Sequence, residues 1–183
     1  MANELIGMVE NYNKWHLDHL WGYIFYNYAR VGEQLGKLSE VRVKLFSLYK
    51  LSSNSKNESS QAVLLNQILR NFILTNNYKS AKEFLTNTLF PESKQNNEFI
   101  KYLYYTAKIK SIQQEYHEAF TRVTQALRKA PEKGVLGFKL HAQKLAIVCE
   151  MLIGDVPART LFSHGPLAKY LFPYYELVHS LVQ

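Results

Sequence analysis

The sequence predicts an all-α protein, an α-solenoid of antiparallel helix pairs. Three observations predict this fold class. Apolar residues recur at helical spacing, the chain contains no Asn-Gly or Asp-Gly turn that would mark a hairpin of strands, and similar short stretches recur about every 40 residues. With 183 residues, the chain is long enough for one ordinary domain or a short repeat array. We expect residues 1–183 to form a single helical-repeat array.

The helical spacing is clearest in three apolar stripes. One stripe follows residue 116, and the others cover residues 65–73 and 138–152. Within them apolar residues mostly fall three or four apart, so each helix presents one apolar face to a neighbour. Extended over the whole chain, this spacing predicts about nine or ten helices in antiparallel pairs.

The repeat is visible in four short stretches of similar composition. Their second residues are Leu38, Tyr78, Tyr116 and Val156, at intervals of 40, 38 and 40 residues. Each stretch lies between two apolar stripes. A period near 40 with two helices per unit is typical of an α-solenoid.

The unit at Tyr116 is similar to a tetratricopeptide repeat (TPR). Tyr116, Ala119, Ala126 and Pro131 fall at the spacing of that motif, whereas Lys110 occupies a position where the motif has an aromatic residue. Small alanines let two helices approach closely, and a proline ends the second helix. We therefore expect degenerate TPR-like repeats, with Ala119 and Ala126 buried between paired helices.

Glycine, proline and polar residues predict the helix boundaries. Gly36 and Gly154 lie where a C-terminal glycine would end a helix, and residues 52–60 (SSNSKNESS) read as a polar loop. The last helix is predicted from Pro173 to Val182. Its apolar stripe exceeds what one buried face needs, so we expect a later segment of a longer chain, or a partner, to cover it; the alternative is that the stripe packs wholly on the preceding helices.

No arrangement of residues predicts catalysis or cofactor binding. The only Gly-Lys pair, at Gly36, is followed by Leu38 and so lacks the hydroxyl residue of a phosphate-binding loop. His16 and His19 are three residues apart, but a zinc site needs three or four ligands. The single cysteine, Cys149, lies on an apolar stripe, which favours a core position. We therefore expect no enzyme and no catalytic residue, cofactor or metal.

The chain shows neither a spanning segment nor an export signal. Its most apolar window, residues 145–153, is shorter than the roughly 20 residues that a spanning helix needs. The first ten residues contain two glutamates and no basic residue, which is the reverse of a signal peptide. These observations predict a cytosolic or nuclear protein without a membrane partner.

The positive charge is concentrated in one part of the chain. Of the formal net charge of +7, residues 100–144 contribute +6, from nine basic and three acidic residues. Such a cluster fits an acidic peptide or a phosphate backbone, and the alternative is a solvated helix face. The candidate partner-binding residues are Lys108, Lys110, Arg122, Arg128 and Lys129.

Several blocks in order resemble one known family. Residues 96–119 (NNEFIKYLYYTAKIKSIQQEYHEA), 126–131 (ALRKAP) and 137–159 (GFKLHAQKLAIVCEMLIGDVPAR) resemble the 26S proteasome regulatory non-ATPase subunit 3 family. Residues 62–74 (AVLLNQILRNFIL) and 173–175 (PYY) agree in the same order, and residues 17–35 resemble the family's upstream helix. The similarity runs along nearly the whole chain.

This resemblance implies a non-catalytic scaffold subunit of the proteasome lid, in cytoplasm and nucleus, that supports ubiquitin-dependent degradation. It implies helical repeats leading into a winged helix, together a PCI domain; we expect no winged helix within residues 1–183. Its implied partners are other lid subunits, including a small acidic one that suits the basic cluster. The alternatives are a paralogous PCI subunit of the signalosome or of a translation initiation complex, and a PCI protein that binds nucleic acid.

Overall fold

A computed structural model describes Gly7 and residues 18–92, 95–163 and 167–182. These residues form nine helices and no strand, as the sequence predicts. The nine helices are α1 (Asp18–Gln34), α2 (Leu38–Asn54), α3 (Glu58–Leu74), α4 (Tyr78–Asn87), α5 (Asn96–Ile112), α6 (Tyr116–Lys129), α7 (Leu136–Ile153), α8 (Thr160–Ser163) and α9 (Ala168–Val182). The chain divides into two compact units, Met1–Tyr102 and Leu103–Gln183, called unit 1 and unit 2 below.

The helices begin at nearly constant intervals. The first four begin at residues 18, 38, 58 and 78, and the next three begin at 96, 116 and 136. Leu38, Tyr78 and Tyr116 are each the first residue of a helix, which confirms three of the four predicted repeat positions. The fourth, Val156, lies instead in an irregular segment, because the helix that follows it begins only at Thr160.

One backbone turn recurs at the ends of α1, α2, α3, α5 and α7. In each case a residue just after the helix has positive φ; it is the second residue after the helix in the first four cases and the first residue after α7. These residues are Gly36 (71°), Lys56 (54°), Asn76 (53°), Gln114 (66°) and Gly154 (102°). Its N–H donates to the carbonyl three residues back, and the next N–H donates to the carbonyl five residues back. This pair of bonds satisfies carbonyls that the helix end leaves open.

Two predicted boundaries were wrong. Residues 52–60 are not a loop: α2 continues to Asn54, and α3 begins at Glu58 after a three-residue turn. The positive φ of Lys56 reverses the chain there without a glycine. The last helix begins at Ala168 rather than at Pro173, which lies inside it. A proline near the start of a helix removes one backbone hydrogen bond, and the packing of the rest of α9 tolerates that loss.

Unit 1 is built around α3. Residues 62–69 of this helix are all buried, and α1 and α2 both pack against it. Because this stretch is buried on every side, including its polar residues Asn66 and Gln67, α3 is the core helix of unit 1. Close packing of α1 on α2 depends on Gly32, where an added Cβ would lie 2.1 Å from Cγ2 of Val41.

The described residues of unit 2 form two apolar clusters. The first surrounds the buried residues Ala107, Val123, Ala142 and Ala146, and aromatic side chains including Tyr104 and Phe138 pack at its edge. Ala119 and Ala126 are fully buried, as the TPR-like spacing predicts. The second cluster joins α7, α8 and α9 through the buried residues Ile147, Phe162, Leu171 and Val178.

Candidate partner interface

The five predicted partner-binding residues lie in unit 2, on two successive helices. Lys108 and Lys110 are on α5, and Arg122, Arg128 and Lys129 are on α6. The three-residue turn between these helices reverses the chain. Of the five, Lys110 and Arg122 meet at one carboxylate.

Lys110 and Arg122 converge on the same carboxylate, that of Glu118. Arg122 donates from Nη2 and Nε to Oε1 of Glu118 at 2.7 and 3.0 Å. Lys110 Nζ lies 3.0 Å from Oε2 of Glu118 and also donates to Glu115. Lys110, which stands where the TPR motif has an aromatic residue, therefore takes part in an ion-pair network between α5 and α6.

This network shifts the pKa values of its members. Hydrogen bonds from Arg122 and then Lys110 lower the pKa of the Glu118 carboxyl, against the opposing effect of burial. Burial by itself would lower the pKa of Lys110, but the hydrogen bonds to Glu115 and Glu118 outweigh it and the pKa rises. Both changes keep the charged forms. Much of the positive charge of Lys110 and Arg122 is thus neutralised locally.

The other three predicted residues lie apart from this network. Lys108 is half-buried, whereas Arg128 and Lys129 are exposed in the last turn of α6. Basic residues at that position also stabilise the negative end of the helix dipole. Within the part of unit 2 that the structure describes, neither Lys108 nor Arg128 has an ion-pair partner.

Helix α9 has apolar residues on two faces. Leu171 and Val178 are buried in the second cluster of unit 2, while Tyr170, Leu177 and Leu181 are 55%, 47% and 66% exposed. The predicted stripe therefore packs only in part on the preceding helices. The outer face is open to solvent in the described residues.

A groove in unit 1 was not predicted from the sequence. Phe46 on α2, Phe72 on α3 and Phe84 on α4 form its aromatic floor, with ring centroids 5.4–6.1 Å apart. The guanidinium of Arg42 lies 5.7 Å from the centroid of Phe72. The groove is open to solvent and has a volume of about 450 Å³. Because its residues come from three helices, the groove exists only once these helices have packed together.

Polar contacts within unit 1 were also missed. Both carboxylate oxygens of Asp18 accept backbone N–H bonds from Ser59 and Ser60, at 2.8 and 2.9 Å, so a residue of α1 caps α3. The buried amide of Asn66 donates to the carboxylate of Glu98 at 2.8 Å. These partners are 32–42 residues apart in the chain, so no local motif predicts them.

The described residues contain no group of three or more His, Cys, Asp or Glu side chains placed to hold a metal ion. His16, one of the two histidines considered above, lies outside the described residues, and His19 contacts Gln95 and the ring of Tyr23. Cys149 is buried, and burial raises the pKa of its thiol. None of the described helices has the length and apolar composition to cross a membrane.

Comparison with known proteins gives consistent matches. A family model described as PSMD3-like, N-terminal TPR repeats matches residues 1–178. The chain is 36% identical over 180 residues to the 26S proteasome non-ATPase regulatory subunit 3 of Dictyostelium discoideum. It is 34% identical over 180 residues to the probable subunit 3 of Anopheles gambiae, and 34% identical over 176 residues to homolog A of Arabidopsis thaliana. These alignments cover 96–98% of this chain and 36% of each relative.

Proposed function

Because this chain belongs to the PSMD3-like family with N-terminal TPR repeats, we propose that it is the helical-repeat part of a 26S proteasome regulatory subunit that acts as a scaffold without catalysis. The observation that carries this proposal is the family match over residues 1–178, together with helices that begin every 18–20 residues from Asp18 to Leu136. The chain spans about a third of the length of the curated relatives it matches, 36%, so the role of the whole subunit is part of the proposal.

The scaffold mechanism is geometric. Turns with the same pair of backbone hydrogen bonds fix where successive helices begin. Contacts such as Asp18 with Ser59 and Ser60 hold helices of unit 1 to one another. Exposed side chains on such helices keep fixed spacings, and a partner therefore meets a surface that is already ordered, which reduces the entropy lost on binding.

The proposed partners are other subunits of the proteasome lid, including a small acidic subunit. The relatives are named as subunits of the 26S proteasome, and the basic residues of unit 2 suit an acidic chain. Of the five candidate residues, Arg128 and Lys129 are the most exposed, whereas Lys110 and Arg122 are engaged by glutamates. The proposed location is that of the complex, the cytoplasm and nucleus.

We also propose that residues 1–183 belong wholly to the helical part of a PCI region and include no winged helix. The all-helical secondary structure of the described residues is consistent with this proposal, since a winged helix includes strands. In a longer chain, the exposed face of α9 would precede the next element.

Affinity purification of the full-length native protein that carries this chain tests the proposal. We expect the companions identified by mass spectrometry to be subunits of the 26S proteasome regulatory particle. A matched pair of variants controls the experiment: Ala126→Phe, which disrupts the α6 packing, should lose the companions, and Val43→Ala, at an exposed position on α2, should keep them. Companions from the signalosome or from a translation initiation complex would contradict the proposal, as would RNA as the only partner.

A further inference from the structure

The groove of unit 1 has a charged residue on each of its two walls. Its volume of about 450 Å³ lies within the range of ordinary ligand sites. All of the residues that line it belong to unit 1, so the groove is a feature of one compact unit. Helix α2 supplies Arg42 and Phe46, α3 supplies Phe72, and α4 with the residue before it supplies Asn77, Ser80, Glu83, Phe84 and Asn87.

The floor of this groove is aromatic and only partly covered. Phe72 is buried, whereas Phe46 and Phe84 are half-buried. Phe84 also meets the ring of Tyr49 edge-on, with the centroids 5.7 Å apart. The rings therefore support one another from α2, α3 and α4. An apolar side chain laid on them would remove their remaining surface from water, which favours binding.

Arg42 is held in place on the α2 wall. Its Nη1 donates to Oγ1 of Thr75 at 3.2 Å, and that hydroxyl donates to the carbonyl of Asn71 at 2.9 Å. The guanidinium also lies beside the ring of Phe72. Because a guanidinium has five N–H donors, several remain for a ligand. Arg42 forms no ion pair within the described part of unit 1, and a cation that is already ordered loses less entropy on binding.

Glu83 gives the opposite wall a negative charge. Its side chain is exposed on α4 and forms no ion pair with any described residue, Arg42 included. The two helices begin at the same end of α3, because the Asn71 amide donates to the carbonyl of Leu38 at 2.9 Å and α4 follows α3 after a three-residue turn. Arg42 is the fifth residue of α2 and Glu83 the sixth of α4. The two charges therefore lie at similar heights on opposite walls.

This arrangement disfavours a ligand that carries only one sign of charge. A nucleic acid binds through several cations, whereas Arg42 is the only basic residue among the described residues that line the groove. Glu83 opposes Arg42 and would repel a phosphate backbone or a segment made only of acids. Charge complementarity instead favours a peptide with an acidic residue for Arg42, a basic residue for Glu83 and an apolar residue for the floor.

We propose that this groove binds a peptide segment of a partner protein in which an apolar residue lies between an acidic and a basic one. The apolar side chain packs on Phe46 and Phe84, the acidic side chain accepts hydrogen bonds from Arg42, and the basic side chain pairs with Glu83. The inference rests on the proposed scaffold function, because it names one surface on which a partner docks and the chemistry that this surface recognises. It uses none of the five basic residues predicted from the sequence.

Peptide selection on the full chain tests the inference. A library of random 12-residue peptides displayed on phage is the probe, and we expect the selected peptides to share an apolar residue between an acid and a base. A selected peptide, labelled with fluorescein, then serves for fluorescence anisotropy. Asn87→Trp, which places an indole on the groove, should weaken its binding by roughly tenfold or more. The matched control Thr86→Trp puts the same ring on the next residue of α4, which is exposed and does not line the groove, and should weaken binding less than about twofold.

A reversal of both wall charges tests the assignment of each charged contact. Arg42→Glu together with Glu83→Lys leaves the net charge of the chain unchanged. This double variant should bind the selected peptide roughly tenfold more weakly than the wild type does. A peptide with its acidic and basic residues exchanged should bind the double variant at least about fivefold more tightly than it binds the wild type. Circular dichroism melts verify that each variant is folded; should the double variant not fold, the comparison of Asn87→Trp with Thr86→Trp decides alone.

Several results would overturn the inference. They are a selection that yields no peptides with this pattern, equal binding of the selected peptide to Asn87→Trp and to the wild type, and no gain for the exchanged peptide on a folded double variant. Binding of a single-stranded oligothymidine that Asn87→Trp weakens would also overturn it. A dimer of the chain in sedimentation that Asn87→Trp dissociates and Thr86→Trp keeps would assign the groove to a second copy instead.

The outcome is separable from the proposed function. Co-purification of the full-length protein with proteasome subunits, together with peptide binding that does not depend on the groove, rejects this inference alone. Groove-dependent binding of the selected peptide without proteasome companions rejects the proposed function alone.

Discussion

Arg70 on α3 holds both carboxylate oxygens of Glu33 on α1. Its Nη2 donates to Oε1 at 2.7 Å and its Nε donates to Oε2 at 3.0 Å. Arg30, one turn before Glu33 on the same helix, also donates to Oε2, at 2.9 Å. This pair of hydrogen bonds, called the Arg70–Glu33 fork below, joins residues 37 positions apart in the chain. It therefore holds α1 against α3, the central helix of unit 1.

Replacing this carboxylate should destabilise unit 1. Glu33→Gln removes charge-assisted hydrogen bonds at a partly buried site, so we expect a loss of about 1 kcal/mol in the free energy of unfolding at pH 7. The hydrogen bond from Arg70 is the main reason that the pKa of Glu33 is lowered from its ordinary 4.5. The stabilisation from the Glu33 carboxylate is therefore complete above its ordinary pKa, which applies to the unfolded chain. It is lost as the pH falls through the lower pKa that Glu33 has in the folded protein.

Urea melts between pH 7 and pH 3 measure this effect. The difference between wild type and Glu33→Gln should shrink toward zero at the acidic end. The matched control is Glu40→Gln, which removes a carboxylate that is 70% exposed and 3.5 Å from Lys37, and it should change the stability by less than about 0.5 kcal/mol at any pH. A difference for Glu33→Gln that stays constant with pH would contradict the argument.

Adding a methyl group at Gly32 should force α1 and α2 apart. The new Cβ would lie 2.1 Å from Cγ2 of Val41, so Gly32→Ala should cost about 1–3 kcal/mol by thermal or urea unfolding. Val41→Ala in the same chain should recover part of that loss because it removes the clashing methyls. The control is Gly137→Ala in α7, where no atom lies within 4 Å of the new Cβ, and it should be neutral or stabilising by up to about 1 kcal/mol. Equal effects of the two glycine substitutions would refute the close approach.

The recurring turn predicts an opposite response at two of its positions. Gln114 has φ of 66°, a conformation that costs an L-residue about 1 kcal/mol or more, so Gln114→Gly should raise the stability by about 0.5–1 kcal/mol. Gly154→Ala, at φ of 102°, should lower it by about 1 kcal/mol or more. Gln113→Gly, one residue before the left-handed position, controls for the flexibility that glycine adds to the unfolded chain and should destabilise. Melting temperatures that move the same way for Gln113→Gly and Gln114→Gly would rule out this account of the turn.

The packing of α6 gives a fourth prediction. Ala119 and Ala126 are fully buried, so a phenylalanine at either position should overpack unit 2 and cost about 1–3 kcal/mol. Gln125→Phe places the same ring at an exposed position of the same helix and should leave the stability within about 0.5 kcal/mol. An unchanged melting temperature for Ala126→Phe would contradict the burial of this face.

Spacing in the sequence predicted the helices well, and particular residues explain where it did not. Leu38, Tyr78 and Tyr116 begin helices because the same turn precedes each of them. The polar residues around Lys56 predicted an open loop because they include no glycine. The structure has a turn of the same kind there. Pro173 predicted a helix start, but it lies inside α9. Packing of α9 on Ile147 and Phe162 outweighs the local preference of proline.

The site was predicted less completely than the fold. The sequence shows where the basic residues are concentrated, but a sum of charges does not show which of them are already paired. Lys110 and Arg122 both form ion pairs with Glu118, which reduces the charge that they present to a partner. One of these ion pairs is local: Arg122 follows Glu118 by four residues on the same helix. Helical spacing therefore predicts that pair from the sequence. The groove beside Arg42, the cap that Asp18 gives to α3 and the Arg70–Glu33 fork all join distant parts of the chain, and a single sequence carries no signal for such contacts.

The turn at Gly36, Lys56, Asn76, Gln114 and Gly154 is held by main-chain atoms, and five positions with a common geometry use four different amino acids. The interval between successive helices therefore does not depend on one particular amino acid at the reversal. A search for regular intervals detects repeats of this kind where a search for one residue type at the turn does not.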